Sequence, residues 1–167
     1  MALKQMFAYA GQNREIDDSL ICELHKLCMF PAKYAGTYRN TDVCIKGAGT
    51  RVSSPAHIYQ DLKFFFDDLE NRKFSNSLEK AAFTRAEFVR IHPFSDGNGR
   101  ISRLIMNLSL LKDQLPLLCI RKESRQDYIE ALDKYGTNRD LKPFYGFLFE
   151  IMKNTLHDFL AEYGSQI

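Results

Sequence analysis

Apolar residues recur along most of the chain at the spacing of one helical face. Leu20, Ile21, Leu24, Leu27 and Cys28 form such a face over Asp17–Met29, with Asp17, Asp18 and Ser19 available as caps and Pro31 as a stop. Pro55 stands where a helix start tolerates proline, and Ile58, Leu62, Phe65, Phe66 and Leu69 follow as a second face. The triplet Phe64-Phe65-Phe66 reads mainly as core packing. A third helix is predicted over Ser77–Ile91, with Leu78, Ala81, Ala82, Phe88 and Val89 inward. A fourth covers Asn98–Leu111 through Ile101, Leu104, Ile105, Leu108 and Leu111. Two more are expected over Ser124–Tyr135, ended by Gly136, and Leu141–Tyr163, ended by Gly164. The aromatics of Tyr145–Phe149 read as the buried face of the last one. Between Ala35 and Ser54 the helical period fails. Gly36, Gly47 and Gly49 break it, while Tyr38, Val43 and Ile45 suit short strands, so an exposed hairpin or flap is expected at about 36–50.

A length of 167 residues fits a single domain spanning 1–167. Its 23 Lys+Arg against 21 Asp+Glu leave a net charge of +2, with the signs mixed along the chain. That is too little for binding driven by phosphate neutralisation, so no specific nucleic-acid partner is expected. No apolar run approaches the roughly 20 residues a membrane helix needs, and Met1–Ala10 lacks the apolar stretch of a signal peptide. The sequence therefore reads as cytoplasmic, with no membrane partner. Cys22, His25 and Cys28 resemble a metal cluster on paper, but on a helix the two thiols point about 120° apart and cannot close a tetrahedral site. The four cysteines read as reduced structural thiols. Gly47-Ala48-Gly49-Thr50-Arg51 lacks the GK[ST] ending of a nucleotide loop and reads as flap. His25, His57 and His157 have no partner at useful spacing and are assigned no chemistry.

The segment His92-Pro93-Phe94-Ser95-Asp96-Gly97-Asn98-Gly99-Arg100-Ile101-Ser102-Arg103 departs from this plain pattern. It joins two predicted helices, and the second begins at about Asn98. The first amides of that helix lack intrahelical acceptors, and with Gly97 and Gly99 freeing the backbone they make an anion site. Arg100 and Arg103 lie three apart on one side of the helix and suit a polyphosphate better than a single carboxylate. Asp96 beside such a cradle would repel phosphates unless a cation lay between, which is how a single carboxylate holds Mg²⁺. His92, at the end of the preceding helix, has a near-neutral pKa and can accept a proton from a hydroxyl. Phe94 is expected to turn into the core. A base, a metal ligand, an anion hole and two cations form the inventory for moving a phosphorus-linked group from a nucleotide to a hydroxyl. These residues do not select the group that moves.

The string HPFSDGNGRISR at 92–103 resembles the signature of the Fic family, H-P-F-x-[DE]-G-N-G-R-x-x-R, and matches it at every defined position. Tyr34-Ala35-Gly36-Thr37-Tyr38-Arg39 followed by Val43-Cys44-Ile45 is similar to the family's G-x-Y-R entry to its flap. The resemblance implies an all-α Fic fold of about six to eight helices with a small β-hairpin beside the active site. It also implies Mg²⁺-dependent AMP transfer from ATP to a Ser, Thr or Tyr hydroxyl of a target protein, releasing pyrophosphate. His92 would then be the general base and Asp96 the Mg²⁺ ligand. Gly97, Asn98 and Gly99 would form the anion hole, and Arg100 and Arg103 would grip the outer phosphates. Tyr38, Arg39, Val43 and Ile45 would dock an extended piece of the target by strand addition. Alternatives are transfer of UMP, phosphate or phosphocholine, or a catalytically idle docking domain. Many Fic proteins are held off by a helix carrying [ST]-x-x-x-E-[GN]. Ser19–Glu23 fails that pattern at Leu24, and Ser75–Glu79 fails it at Lys80. Inhibition by a separate, antitoxin-like protein, a fragment without its regulator and a diverged inhibitory helix stay open.

Overall fold

The computed structural model describes residues 1–45, 47 and 49–163. Seven α-helices run through them: α1 Ala2–Gly11, α2 Asp18–Met29, α3 Ile58–Asn71, α4 Ser77–Ile91, α5 Asn98–Lys112, α6 Arg125–Asn138 and α7 Lys142–Tyr163. No described helix is long and apolar enough to cross a membrane. The fold is all-α, as the periodicity predicts. α4 lies at its centre, packed along α5 on one side and against α3, α6 and α7 on the others, while α1 and α2 cover α5. Ala81 and Ala82 of α4 have no exposure, and their small side chains suit close helix approach. Phe83, Phe88, Ile101, Ile105, Phe65 and Phe144 fill the space around them.

Helix boundaries follow local capping. The Asp17 carboxylate accepts the Leu20 amide at 2.7 Å and starts α2, and the Asn76 side chain accepts the Glu79 amide at 2.9 Å and starts α4. Ser19–Glu23 and Ser75–Glu79, the strings that approach the inhibitory pattern, thus lie at the two helix starts that Asp17 and Asn76 cap. Glu23 is bonded to Arg14 and Tyr9, and Glu79 accepts the Ser75 amide.

Four expectations need correction. Residues 2–11 form a helix that the sequence reading did not assign, held by Met6 and Tyr9 buried at its inner face. Gly136 does not end α6. The helix continues to Asn138 and closes at Arg139, which takes the left-handed conformation at φ 61°. Of the aromatics in the last helix, Phe144 is buried but Phe149 is about half exposed, and Leu148 and Met152 complete the inner face. The flap forms no strand among the described residues. Its backbone is pinned elsewhere: the Arg39 amide donates to the Pro93 carbonyl at 2.9 Å, and the Gly36 amide donates to the His25 ring at 2.8 Å. Residues 46 and 48, near the expected hairpin tip, lie outside the described residues, as does Gly164.

Candidate active site

α4 ends at His92, a non-glycine residue in the left-handed region at φ 52° and ψ 56°. That conformation costs about 1–2 kcal/mol for an ordinary L-residue, so the surroundings must hold it. Arg39 supplies the hold. Its side chain is buried, and Nε donates to the His92 carbonyl at 2.7 Å while Nη1 donates to the Thr41 carbonyl at 2.8 Å. Nη2 donates to the Ser53 carbonyl and, at 3.5 Å, to that of Ile91. A guanidinium placed on the last carbonyls of a helix also meets the negative end of its dipole. Arg39 therefore works inside the motif corner rather than on an exposed docking face. Tyr38 is likewise turned inward, its hydroxyl donating to Asp18 at 2.7 Å and its ring against Tyr59 and Phe94.

The His92 imidazole is oriented by its own helix. Nδ1 lies 3.2 Å from the Val89 carbonyl, which can only accept, so Nδ1 carries the proton and Nε2 keeps a free lone pair. Burial, with a smaller contribution from Arg39, pushes the His92 pKa below its ordinary value. The ring is therefore neutral at pH 7 and ready to take a proton.

Beyond His92 the loop turns on three side chains. Phe94 is fully buried and stacks on His25 with ring centroids 3.7 Å apart. Asn98 is also buried, its Oδ1 accepting the Phe94 amide at 2.9 Å and its Nδ2 donating to the Phe94 carbonyl at 2.7 Å. The side chain of Asn98 thus ties the loop to itself. His25, to which the sequence reading gave no task, accepts the Gly36 amide at Nδ1 and so donates from Nε2 to the Asp96 carbonyl at 3.1 Å. It couples the start of the flap to the motif loop, and burial lowers its pKa. Gly97 begins α5 at φ 82°, where an added Cβ would lie 3.0 Å from Met29 Sδ and 3.2 Å from the His25 ring. Both the backbone and the space there require glycine.

At the first turn of α5, the Arg100 and Ile101 amides donate to the Gly97 carbonyl. The Asn98 and Gly99 amides have no acceptor among the described residues and remain available to an anion. Asp96 accepts the Gly97 amide at 2.6 Å, and Arg100 reaches back to Asp96 at 3.5 Å and to the Cys28 carbonyl at 3.3 Å.

His92, Gly99 and Arg103 open on a cavity of about 490 Å³. Asp96 and Arg100 stand outside its wall. The far wall comes from segments the sequence reading did not connect with the motif: Ile120 and Arg121, then Arg125, Tyr128, Ile129, Leu132 and Asp133 of α6, with Ile45 and Thr50 from the two sides of the flap. Five arginines line it (Arg85, Arg90, Arg103, Arg121 and Arg125) against one carboxylate, Asp133. Arg90 is neutralised by Glu87 at 2.7 Å, whereas Arg103, Arg121 and Arg125 form no ion pair among the described residues. Such a wall is electrostatically complementary to an anion. Asp133 accepts both the Thr50 amide, at 2.7 Å, and the Thr50 hydroxyl, at 2.5 Å. Thr50 sits directly on Gly136, where an added Cβ would meet its Oγ1 at 2.0 Å, so the flap is latched onto α6 through a glycine the sequence had suggested as a helix end. The sequence carried two signals for this wall. Arg121 and Arg125 stand four residues apart, and Arg85 interrupts the apolar face of α4.

The sequence model of the Fic/DOC family matches residues 15–110. A "Protein adenylyltransferase Fic" from Nematostella vectensis is 33% identical over 150 residues, which cover 87% of this chain and 34% of that protein. Among solved structures, Fic-1 (residues 134–508) from C. elegans superposes with a TM-score of 0.83 at 25% identity, over 99% of this chain and 51% of that one. The N-terminal Fic domain of a Bartonella quintana effector, solved with bound ADP, has the same fold, with a TM-score of 0.66 at 18% identity over 90% of this chain and 82% of that one. The chain spans about a third of the length of the curated relatives it matches.

Proposed function

This chain belongs to the Fic/DOC family, and on that premise we propose that it is a protein adenylyltransferase domain moving AMP from ATP to a hydroxyl of a target protein. The observation that carries this reading is the neutral, oriented imidazole of His92 opening on the same arginine-lined cavity as Gly99 and Arg103. His92 Nε2 takes the proton of the target hydroxyl. The hydroxyl oxygen then forms a bond to the α-phosphorus of ATP, and the bond from that phosphorus to the bridging oxygen breaks. Pyrophosphate leaves with the electron pair, and the proton stays on His92 until solvent removes it. The free amides of Asn98 and Gly99 and the positive end of α5 stabilise the charge that gathers on the phosphoryl oxygens. Arg103 holds the outer phosphates from inside the cavity. Arg100 joins it by releasing its long contacts to Asp96 and Cys28.

Asp96 suits Mg²⁺ as its single protein ligand. The carboxylate is two-thirds exposed, and among the described residues no group of three or more His, Cys, Asp or Glu offers a fuller cage. An ion held by one carboxylate completes its shell with phosphate oxygens and water. When bound with the nucleotide, it neutralises the charge of the phosphates at the bond that breaks. The target's extended chain docks against the flap near Val43 and Ile45, since Tyr38 and Arg39 face inward. Replacing His92 by Ala is expected to slow transfer roughly 10²–10⁴-fold, the usual worth of a positioned base, while ATP binding persists. An unchanged rate in His92→Ala would refute this mechanism.

A further inference from the structure

Arg85 is fully buried on the inner face of α4 and forms part of the cavity wall. The other buried arginine, Arg39, has backbone carbonyls around its guanidinium. Arg85 has neither a carbonyl nor a carboxylate among the described residues. Nη1 donates to the Ser102 hydroxyl at 3.0 Å, Nη2 donates to the Tyr128 hydroxyl, and Nε has no partner. The guanidinium also lies 4.9 Å from the centre of the Tyr128 ring. Burial, with a smaller contribution from the like charge of Arg103, holds its pKa below the ordinary value against an opposing pull from Tyr128. A buried cation without a counter-charge is costly to the fold, and an anion entering the cavity would offset that cost.

Tyr128 gives that charge a route into the cavity. Because its hydroxyl oxygen accepts from Arg85, its own proton must be donated elsewhere, and Tyr128 lines the open space. We propose that Arg85 and Tyr128 form a second anion-binding element of the cavity, in which the buried guanidinium fixes and polarises the tyrosine hydroxyl as a donor to an oligophosphate. The element meets the first turn of α5 through Ser102, whose hydroxyl accepts from Arg85 and donates to the Gly99 carbonyl at 3.3 Å, so a phosphate chain in the shared cavity would be gripped from both α5 and α6. Arg85 acts here as a positioning residue, and Tyr128 as the group that touches the ligand. The identity of that oligophosphate as the tail of ATP rests on the function proposed above.

Calorimetric titration with inorganic tripolyphosphate, without metal, tests the element, with ATP and adenosine as parallel ligands. Loss of the buried positive charge together with the hydroxyl orientation it imposes predicts roughly 10–100-fold weaker tripolyphosphate binding in Arg85→Met. Tyr128→Phe should weaken it several-fold, and the double variant should bind no worse than Arg85→Met, since the two act as one unit. Arg85→Lys should recover part of the loss, and adenosine affinity should be the same in all variants. Equal tripolyphosphate affinity in wild type and Arg85→Met would overturn the proposal. Should Arg85→Met not fold, Tyr128→Phe alone decides, because unchanged affinity there overturns it equally. Tripolyphosphate binding without ATP binding would refute the nucleotide reading and leave the element standing. ATP binding that is indifferent to both substitutions would do the reverse.

Discussion

Replacing Arg39 by Met tests how the corner at His92 is held. The substitution keeps the apolar stem and the backbone bond to Pro93 but removes the guanidinium fork from the carbonyls of His92, Thr41 and Ser53. Each bond from a charged donor contributes about 1.5 kcal/mol or more net. Part of that is returned, because a guanidinium only 4% exposed no longer has to be desolvated. A net loss of about 2–3 kcal/mol follows, and at this chain length it lowers Tm by about 5–10 °C. The left-handed conformation of His92, about 1–2 kcal/mol above the helical one, then loses its restraint. A relaxed corner moves the imidazole off its line, so kcat falls roughly tenfold per 1.4 kcal/mol, about 10–100-fold in all. Removing the nearby positive charge also raises the His92 pKa, so the acid limb of the rate profile shifts toward neutrality. Urea unfolding and transfer rates measured well below Tm report these effects separately. Arg39→Met with unchanged stability and unchanged kcat would refute the argument. A loss of stability with kcat and the acid limb intact would limit Arg39 to packing.

Other outcomes follow from the same geometry. Gly136→Ala must push Thr50 off α6, so the Thr50 amide should exchange about 10–100-fold faster while global stability changes by less than about 1 kcal/mol; unaltered protection would show that the latch is not formed in solution. The acid limb of transfer should lie below the ordinary histidine value of about 6.5, because burial lowers the His92 pKa; a rate that already falls above pH 7 would contradict this. Stability should follow the same sign. His25 and His92 take up protons in the unfolded chain below about pH 6.5 but not in the fold, so unfolding free energy should be flat above that pH and fall below it until their lowered native pKa values are reached.

Six of the seven helices could be read from the sequence because each buries a stripe at helical spacing, and the motif from His92 to Arg103 could be read because unusual residue types crowd one short loop. α1 was missed because only Met6 and Tyr9 of its ten residues are buried, too short a stripe to register as a period. Gly136 misled because a glycine that leaves room for Thr50 looks the same in sequence as one that ends a helix. Arg39, His25 and Arg85 stayed hidden for a related reason. Their tasks depend on partners 53, 71 and 43 residues away, and no local pattern carries such contacts. The hairpin was expected from strand-forming residues, but Arg39 ties the backbone there to the motif loop instead.

Label transfer tests the central claim most directly. The protein is incubated with Mg²⁺, a lysate as the source of target and ATP labelled at either the α- or the γ-phosphate, with His92→Ala alongside. Label entering protein from the α-position only, and only with the wild type, is the predicted result. Label from the γ-position, or α-label entering equally with His92→Ala, would contradict the account.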